Sequence, residues 1–286
     1  MAELKSSDNA LRAVTDDGAF RVIAVRTTDT MRRMLATRSL WGAEAVHLAD
    51  LVTGTILVRE TMAPTHRVQG LLRSADGTCL WVGDSHPDGG ARGLLTRKDK
   101  NAAAPTKGGT LEMVRTLHNG ELHRGVVEVP VGGTMSQALM VYLQESEQVV
   151  SMLAIACVLG DDHVVAAGGY VVQLLPEVGR GPLAIMAERL RDFENIGPVL
   201  AKLDAATSPL MDEILYGMPF TLLEECPLAW RCRCSAERVL ATLATLPRTD
   251  LIELSADDKP IELSCDFCCS KYAVSPAELR ALLAES

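Results

Sequence analysis

Short apolar runs, separated by glycine and aspartate turns, fill the first 176 residues of the chain. Phe20 to Val25 predicts a strand. Thr28 to Val58 predicts helix, with Ala43, Val46, Leu51, Val52 and Ile56 giving much of an apolar stripe. Arg67 to Arg73 and Cys79 to Val82 predict strands around Asp76-Gly77, and Gly109 to Leu117 and Glu121 to Val129 predict strands around Asn119-Gly120. Both dipeptides tolerate the positive φ of a tight hairpin turn. Met135 to Glu147 predicts helix, and Met152 to Leu159 and Val164 to Leu175 predict two more strands around Gly160-Asp161-Asp162. Gly168 and Gly169 inside the last strand predict a bulge or a close backbone contact. Helices mixed with hairpins predict an α+β fold with largely antiparallel sheet.

The pattern changes at Pro176 to Gly181, where Gly179-Arg180-Gly181-Pro182 marks a boundary. The next region, 177–228, reads as helical and apolar. Leu183, Met186, Leu190 and Phe193 share one helix face, and Met211, Ile214, Leu215 and Met218 continue an apolar surface. These helices are expected to pack on the first domain. A sharper reading is a latent binding surface, for which the three methionines supply adaptable contacts. Residues 229–286 read as a third part, a small cysteine-rich C-terminal domain. In it Ser235 to Leu246 predicts a helix, Ile261 to Ser264 a strand, and Tyr272 to Val274 a returning strand. Ser275, Pro276 and Glu278 open a final helix through a capping box.

That last part carries the chemistry. Four cysteines fall in two close pairs, Cys232/Cys234 and Cys265/Cys268. Thiolate is a preferred soft ligand of zinc, and four close a tetrahedral site. No histidine follows His163, so one zinc per chain on four sulfurs is the expected cofactor. The other candidates are weaker. Gly83-Asp84-Ser85-His86 only superficially resembles a nucleophile turn, and Asp161-Asp162-His163 reads as a polar turn. Cys79 and Cys157 lie in apolar strands and read as buried small hydrophobes. No GxxxxGK[ST] or GxGxxG loop is present, so nucleotide-driven chemistry is not expected, nor is an enzyme.

Composition narrows the class. The 286 residues are 48% hydrophobic, with a net charge of −9. Mean hydropathy is +0.13. The acidic balance argues against nucleic acid as the main partner. From Arg231 onward seven basic residues face nine acidic ones, so no basic face is implied there either. The longest nearly uncharged apolar run, Val149 to Gly160, is far short of the ~20 residues that span a bilayer. MAELKSSDNALRA lacks the apolar stretch of a signal peptide. The expectation is therefore a soluble, cytoplasmic protein with no membrane partner. In that compartment clustered cysteines are metal-binding or redox-active rather than disulfide-linked.

A four-thiolate site has two uses. It is a structural staple, or it is a reactive site whose thiolates meet oxidants. Pairs one or two residues apart can close disulfides locally, and each disulfide removes zinc ligands. Structural zinc contributes about 10–16 kcal/mol in small modules, comparable to the whole stability of a domain, about 5–15 kcal/mol. Losing the metal can therefore unfold the module and release the helices beside it.

The segments Trp230 to Arg238 (WRCRCSAER) and Ile261 to Cys268 (IELSCDFC), with Tyr272, resemble the zinc domain of the heat shock protein 33 family. Thr28-Asp29-Thr30, Tyr142 to Gln148 (YLQESEQ) and Ala167 to Pro176 (AGGYVVQLLP) resemble family landmarks in order. The segments Ala36 to Glu44 and Arg67 to Arg73 depart from the family pattern. The resemblance implies an ATP-independent holdase chaperone of the stress response. In such a protein the reduced, zinc-bound form is inactive or weakly active. Oxidation forms the disulfides Cys232–Cys234 and Cys265–Cys268 and expels zinc. The connector then unfolds, and unfolding client proteins are bound, commonly by a homodimer. Cys232, Cys234, Cys265 and Cys268 are the implied ligands, and 177–228 the implied stress-sensing connector. Cys226 and Cys269 stand beside the ligand set and can compete in disulfide exchange. The alternative is a non-switching scaffold protein stapled by the same zinc.

Overall fold

The computed structural model describes residues 7–98, 108–176, 181–257 and 259–285. Two compact units divide the chain, Met1–Arg231 and Cys232–Ser286. In chain order the first contains β1 (Asn9–Thr15), β2 (Phe20–Arg26), α1 (Thr28–Arg38), α2 (Ala43–Glu60), β3 (Arg67–Ser74), β4 (Cys79–Ser85) and β5 (Gly90–Arg97). Next come β6 (Gly109–Thr116), β7 (Leu122–Val129), α3 (Met135–Glu145), β8 (Ser151–Leu159) and β9 (Val164–Leu174). The unit closes with α4 (Gly181–Leu190), α5 (Gly197–Lys202), α6 (Thr207–Ile214), β10 (Phe220–Pro227) and β11 (Ala229–Trp230). The second unit holds α7 (Ala236–Leu243), α8 (Arg248–Ala256), β12 (Ile261–Ser264), β13 (Lys271–Val274) and α9 (Pro276–Glu285). This is the expected α+β architecture. The Gly179-Arg180 part of the expected boundary lies outside the described residues.

The first unit is built on two sheets. One has the order β10-β1-β2-β9-β8 and is antiparallel throughout; the other has the order β11-β5-β4-β3-β6-β7. The five-stranded sheet is covered on both faces, and strand periodicity decides which residue goes where. Ile23, Val25, Ala167 and Val171 enter one core with α1, α2 and α3. Phe20, Val22, Ala24, Tyr170 and Val172 enter a second core on the opposite face. That double burial explains the unbroken apolar run at 22–25.

The second core is closed by the helices after Gly181. Met186, Leu190, Leu210, Met211, Ile214 and Leu215 are buried in it, with Phe193 and Met218 packed against it. Of the expected connector face, Leu183 is half-buried.

Helix α2 corrects the expected stripe. Ala43 is exposed and Val46 half-buried, while every residue from 51 to 60 is buried. From Leu51 onward the helix lies between the two sheets, so this half has no solvent face to keep polar. Close approach on one side needs a column without Cβ atoms. Gly70, Gly83 and Gly93 stand in register on β3, β4 and β5. A Cβ at Gly83 would lie 2.8 Å from Thr55 Oγ1 and 3.2 Å from Val52 Cα. Gly168 and Gly169 make the same kind of contact within the other sheet. Their Cβ atoms would sit 2.4 Å from the Val25 and Ala154 carbonyl oxygens. The close-contact form of that expectation holds, and β9 pairs with β2 through both glycines without a bulge.

A second correction concerns 220–227, expected to be helical. It is strand β10, an edge strand on β1. A bulge leaves Leu223 between the pairs Arg12↔Glu224 and Ala13↔Leu222. Arg12 Nη1 bonds Glu224 at 2.6 Å and its other head nitrogen pairs with buried Glu60, which also pairs with Arg59. These ion pairs tie β10 to β1 and to the end of α2.

Candidate metal centre

The four ligand candidates reach one point because two local structures present them. Cys232 and Cys234 precede α7, and Ser235 caps that helix by accepting from the Arg238 amide at 3.2 Å. Arg238 Nη1 also donates to the Arg233 carbonyl at 2.8 Å, across the pair. Cys265 and Cys268 lie in the turn between β12 and β13. The Cys269 amide donates to the Cys265 carbonyl at 2.8 Å, and the Cys265 amide donates to the Ser270 carbonyl at 2.9 Å. Cys269 takes φ 59°, the left-handed conformation that lets the chain reverse.

The four sulfur atoms all lie within 4.8 Å of one another. Cys232 Sγ is 3.6 Å from Cys265 Sγ, and Cys234 Sγ is 3.3 Å from Cys268 Sγ. A tetrahedral zinc with bonds of about 2.3 Å sets its sulfurs about 3.8 Å apart. The donor set therefore fits a tetrahedral thiolate metal, and among the described residues it is the one group of three or more ligating side chains this close. Around it, Tyr272 Oη donates to Cys234 Sγ at 2.9 Å. Ser270 Oγ lies 3.2 Å from Cys268 Sγ.

Burial raises the thiols of Cys232, Cys234 and Cys265. At Cys268 burial acts in the same direction, but the Ser270 hydroxyl and amide and the neighbouring sulfurs outweigh it, holding this thiol down at about 7. The unit's own apolar core is small: Leu243, Leu251, Val274 and Leu279 are its buried members. Units with a core of this size are commonly reinforced by a metal or by disulfides.

The Hsp33 protein family model matches residues 8–275. The chain belongs to the Hsp33 family. Among its Hsp33 relatives, the 33 kDa chaperonin of Syntrophotalea carbinolica is 30% identical, over 97% of this chain and 99% of the relative. The 33 kDa chaperonin of Symbiobacterium thermophilum is 31% identical, over 96% of each. The crystal structure of the Thermotoga maritima Hsp33 homolog shares the fold, with a TM-score of 0.82 at 21% identity, covering 98% of this chain and 99% of that one.

The remaining candidates take structural places. Asp84 and Ser85 end β4. Buried Asp84 is gripped by Arg67 at 2.7 and 2.8 Å, by Arg92 at 2.9 Å and by His86 at 3.2 Å. Burial opposes its ionisation, yet these partners hold its carboxyl well below the usual range. Asp161-Asp162-His163 is a turn, as expected. Cys79 and Cys157 are buried in strands, and burial pushes the Cys157 thiol up to about 12. Among the described residues, no helix is long and apolar enough to cross a membrane. Sequence reasoning left Ser270 without a role and gave Tyr272 none beyond the resemblance. Both touch the cluster from residues that carry no spacing signal of their own.

Proposed function

We propose that this Hsp33 family member is a cytoplasmic, redox-switched, ATP-independent holdase that binds unfolding client proteins. The observation that carries the reading is the convergence of four sulfurs in a unit with a small core. Zinc, when bound by Cys232, Cys234, Cys265 and Cys268, keeps these sulfurs as thiolates and crosslinks the unit. Oxidation takes two electrons from each pair and closes Cys232–Cys234 and Cys265–Cys268. No thiolate then remains to hold the metal, and a small core is left to hold the unit.

The client surface in this reading is the sheet face under α4, α5 and α6. Phe20, Val22, Tyr170 and Val172 lie there beneath Met186, Leu190, Met211, Ile214 and Leu215. Unfolding the connector, 177–228, bares both apolar surfaces. Leu183, Phe193 and Met218 add to the helix side. The partition into 1–176, 177–228 and 229–286 is functional. In this reading the inactive arrangement is the one in which 181–228 is part of the compact first unit. Two such bared faces pair in the oxidised homodimer. No catalytic residue, nucleotide, nucleic acid or membrane takes part.

The test is light scattering from a chemically unfolded client diluted without ATP. The oxidised protein should suppress aggregation and the reduced, zinc-loaded protein should not. Equal suppression by both forms would make the cysteines a staple in a constitutive holdase, and suppression by neither would remove the holdase reading.

A further inference from the structure

A groove of about 310 Å³ opens beside the sulfur cluster. Cys234 and Cys265, one from each pair, line it. Val239, Leu243 and Leu263 form apolar walls, and Arg238, Thr242 and Ser264 complete the lining. Arg238 is exposed, and its bond to the Arg233 carbonyl fixes the guanidinium beside the cluster. An apolar trough with one cation and two cysteine sulfurs is a poor match for hydrogen peroxide, which has neither chain nor charge. It matches an apolar oxidant bearing an anionic group.

We propose that this groove admits a carboxylate-bearing organic hydroperoxide, of the fatty-acid hydroperoxide class, as an oxidant of the switch. The proposal rests on the redox-switch reading. The carboxylate pairs with Arg238 and a stretch of acyl chain lies along Val239, Leu243 and Leu263. The sulfur of Cys265 or Cys234 attacks the terminal peroxide oxygen. The O–O bond breaks, the alkoxide leaves and takes up a proton to become the alcohol, and the cysteine becomes a sulfenic acid. A second cluster thiol, within 4.8 Å, then attacks the sulfenic sulfur and forms a disulfide, with loss of water. Two thiols and one hydroperoxide thus give one disulfide, one alcohol and one water.

The experiment follows zinc release from the reduced full chain with a chromogenic chelator. The oxidants are linoleic acid hydroperoxide below its micellar concentration, its methyl ester, hydrogen peroxide and hypochlorite. Burial of a few methylenes should make the acid hydroperoxide at least about tenfold faster than hydrogen peroxide. An exposed ion pair should make it about two- to fivefold faster than its methyl ester. Arg238→Gln should erase the acid-to-ester difference, Arg238→Lys should keep it, and Thr242→Asp should slow the acid alone. An acid hydroperoxide no faster than hydrogen peroxide, or an acid-to-ester ratio untouched by Arg238→Gln, would overturn the proposal. If hypochlorite releases zinc and the hydroperoxides do not, the groove proposal alone fails. If no oxidant releases zinc, the redox-switch reading fails with it.

Discussion

Tyr272 Oη donates a hydrogen bond to Cys234 Sγ at 2.9 Å, joining β13 to the first cysteine pair. The same bond raises the Tyr272 hydroxyl to about 12, because its proton is held by the sulfur. Groups behind a ligand tune metal affinity by about 10–100-fold. Tyr272→Phe should therefore weaken zinc binding by about tenfold in chelator competition and speed zinc loss to oxidant. Unchanged affinity would mean that the hydroxyl contributes nothing to ligation.

Removing the metal should unfold the second unit and spare the two sheets of the first. Its buried apolar core of Leu243, Leu251, Val274 and Leu279 is too small to stand alone. A strong chelator should expose 232–286 to proteolysis while 1–176 stays resistant. Cys232→Ser should do the same without chelator and abolish tight zinc binding. Full zinc affinity in that variant would show the ligand assignment to be wrong.

Loosening the connector should bypass the oxidant. Ile214 is buried against the five-stranded sheet. Ile214→Ala removes buried methyl groups at a cost of about 2–5 kcal/mol. The reduced, zinc-loaded variant should then suppress client aggregation measurably above wild type. If it stays silent while thermal unfolding shows the expected loss, the face under α6 is not the client surface.

Asp50 should make stability depend on pH. Its Oδ1 is buried without a partner, and burial raises its carboxyl to about 7, against a single opposing hydrogen bond from the Cys157 amide. The folded state therefore keeps a proton that the unfolded chain releases near pH 4. This stabilisation is complete below about pH 4, declines as pH rises to about 7, and is gone above. Asp50→Asn keeps an acceptor for the Cys157 amide and carries no charge. It should stabilise the protein by about 2–4 kcal/mol at pH 8 relative to pH 4, read as a Tm difference at the two pH values. An identical wild-type and variant pH slope would contradict the shift.

Helix α2 should not tolerate a side chain at the glycine column. A Cβ at Gly83 meets the Val52 backbone at 3.2 Å, which cannot rotate away. Gly83→Val should lower the urea midpoint, with a loss of about 1–3 kcal/mol or more. A neutral effect would mean that α2 can move off the sheet at little cost.

Local chemistry wrote much of this protein into its sequence. Asp76-Gly77 and Asn119-Gly120 turn their hairpins with Gly77 at φ 66° and Gly120 at φ 84°. Ser235 and Ser275 cap α7 and α9 through bonds spanning three residues. The cysteine pairs were legible because each is presented by a short segment, and soft ligands at such spacing have few other uses. What spacing could not supply was the hydroxyl that bonds a ligand sulfur from behind. Tyr272 reaches Cys234 across 38 positions, and only the β12–β13 pairing brings it there.

Tertiary structure alone decided the rest. The sequence signal for α2 was a stripe, because it carries no record that a second sheet covers the far side. Strands β1 and β5 and helix α8 have weak patterns of their own. Strand β10 is the sharpest case. Its residues are mostly exposed, Leu222 and Leu223 among them, so no alternation of burial marks it. It is a strand because β1 offers backbone partners, with Leu11 opposite Glu225 and Arg12 opposite Glu224. Short-range capping and ligand spacing act through neighbours in the chain and can be read from it. Edge pairing and two-sided burial act through neighbours in space, and they exist only once the chain has folded.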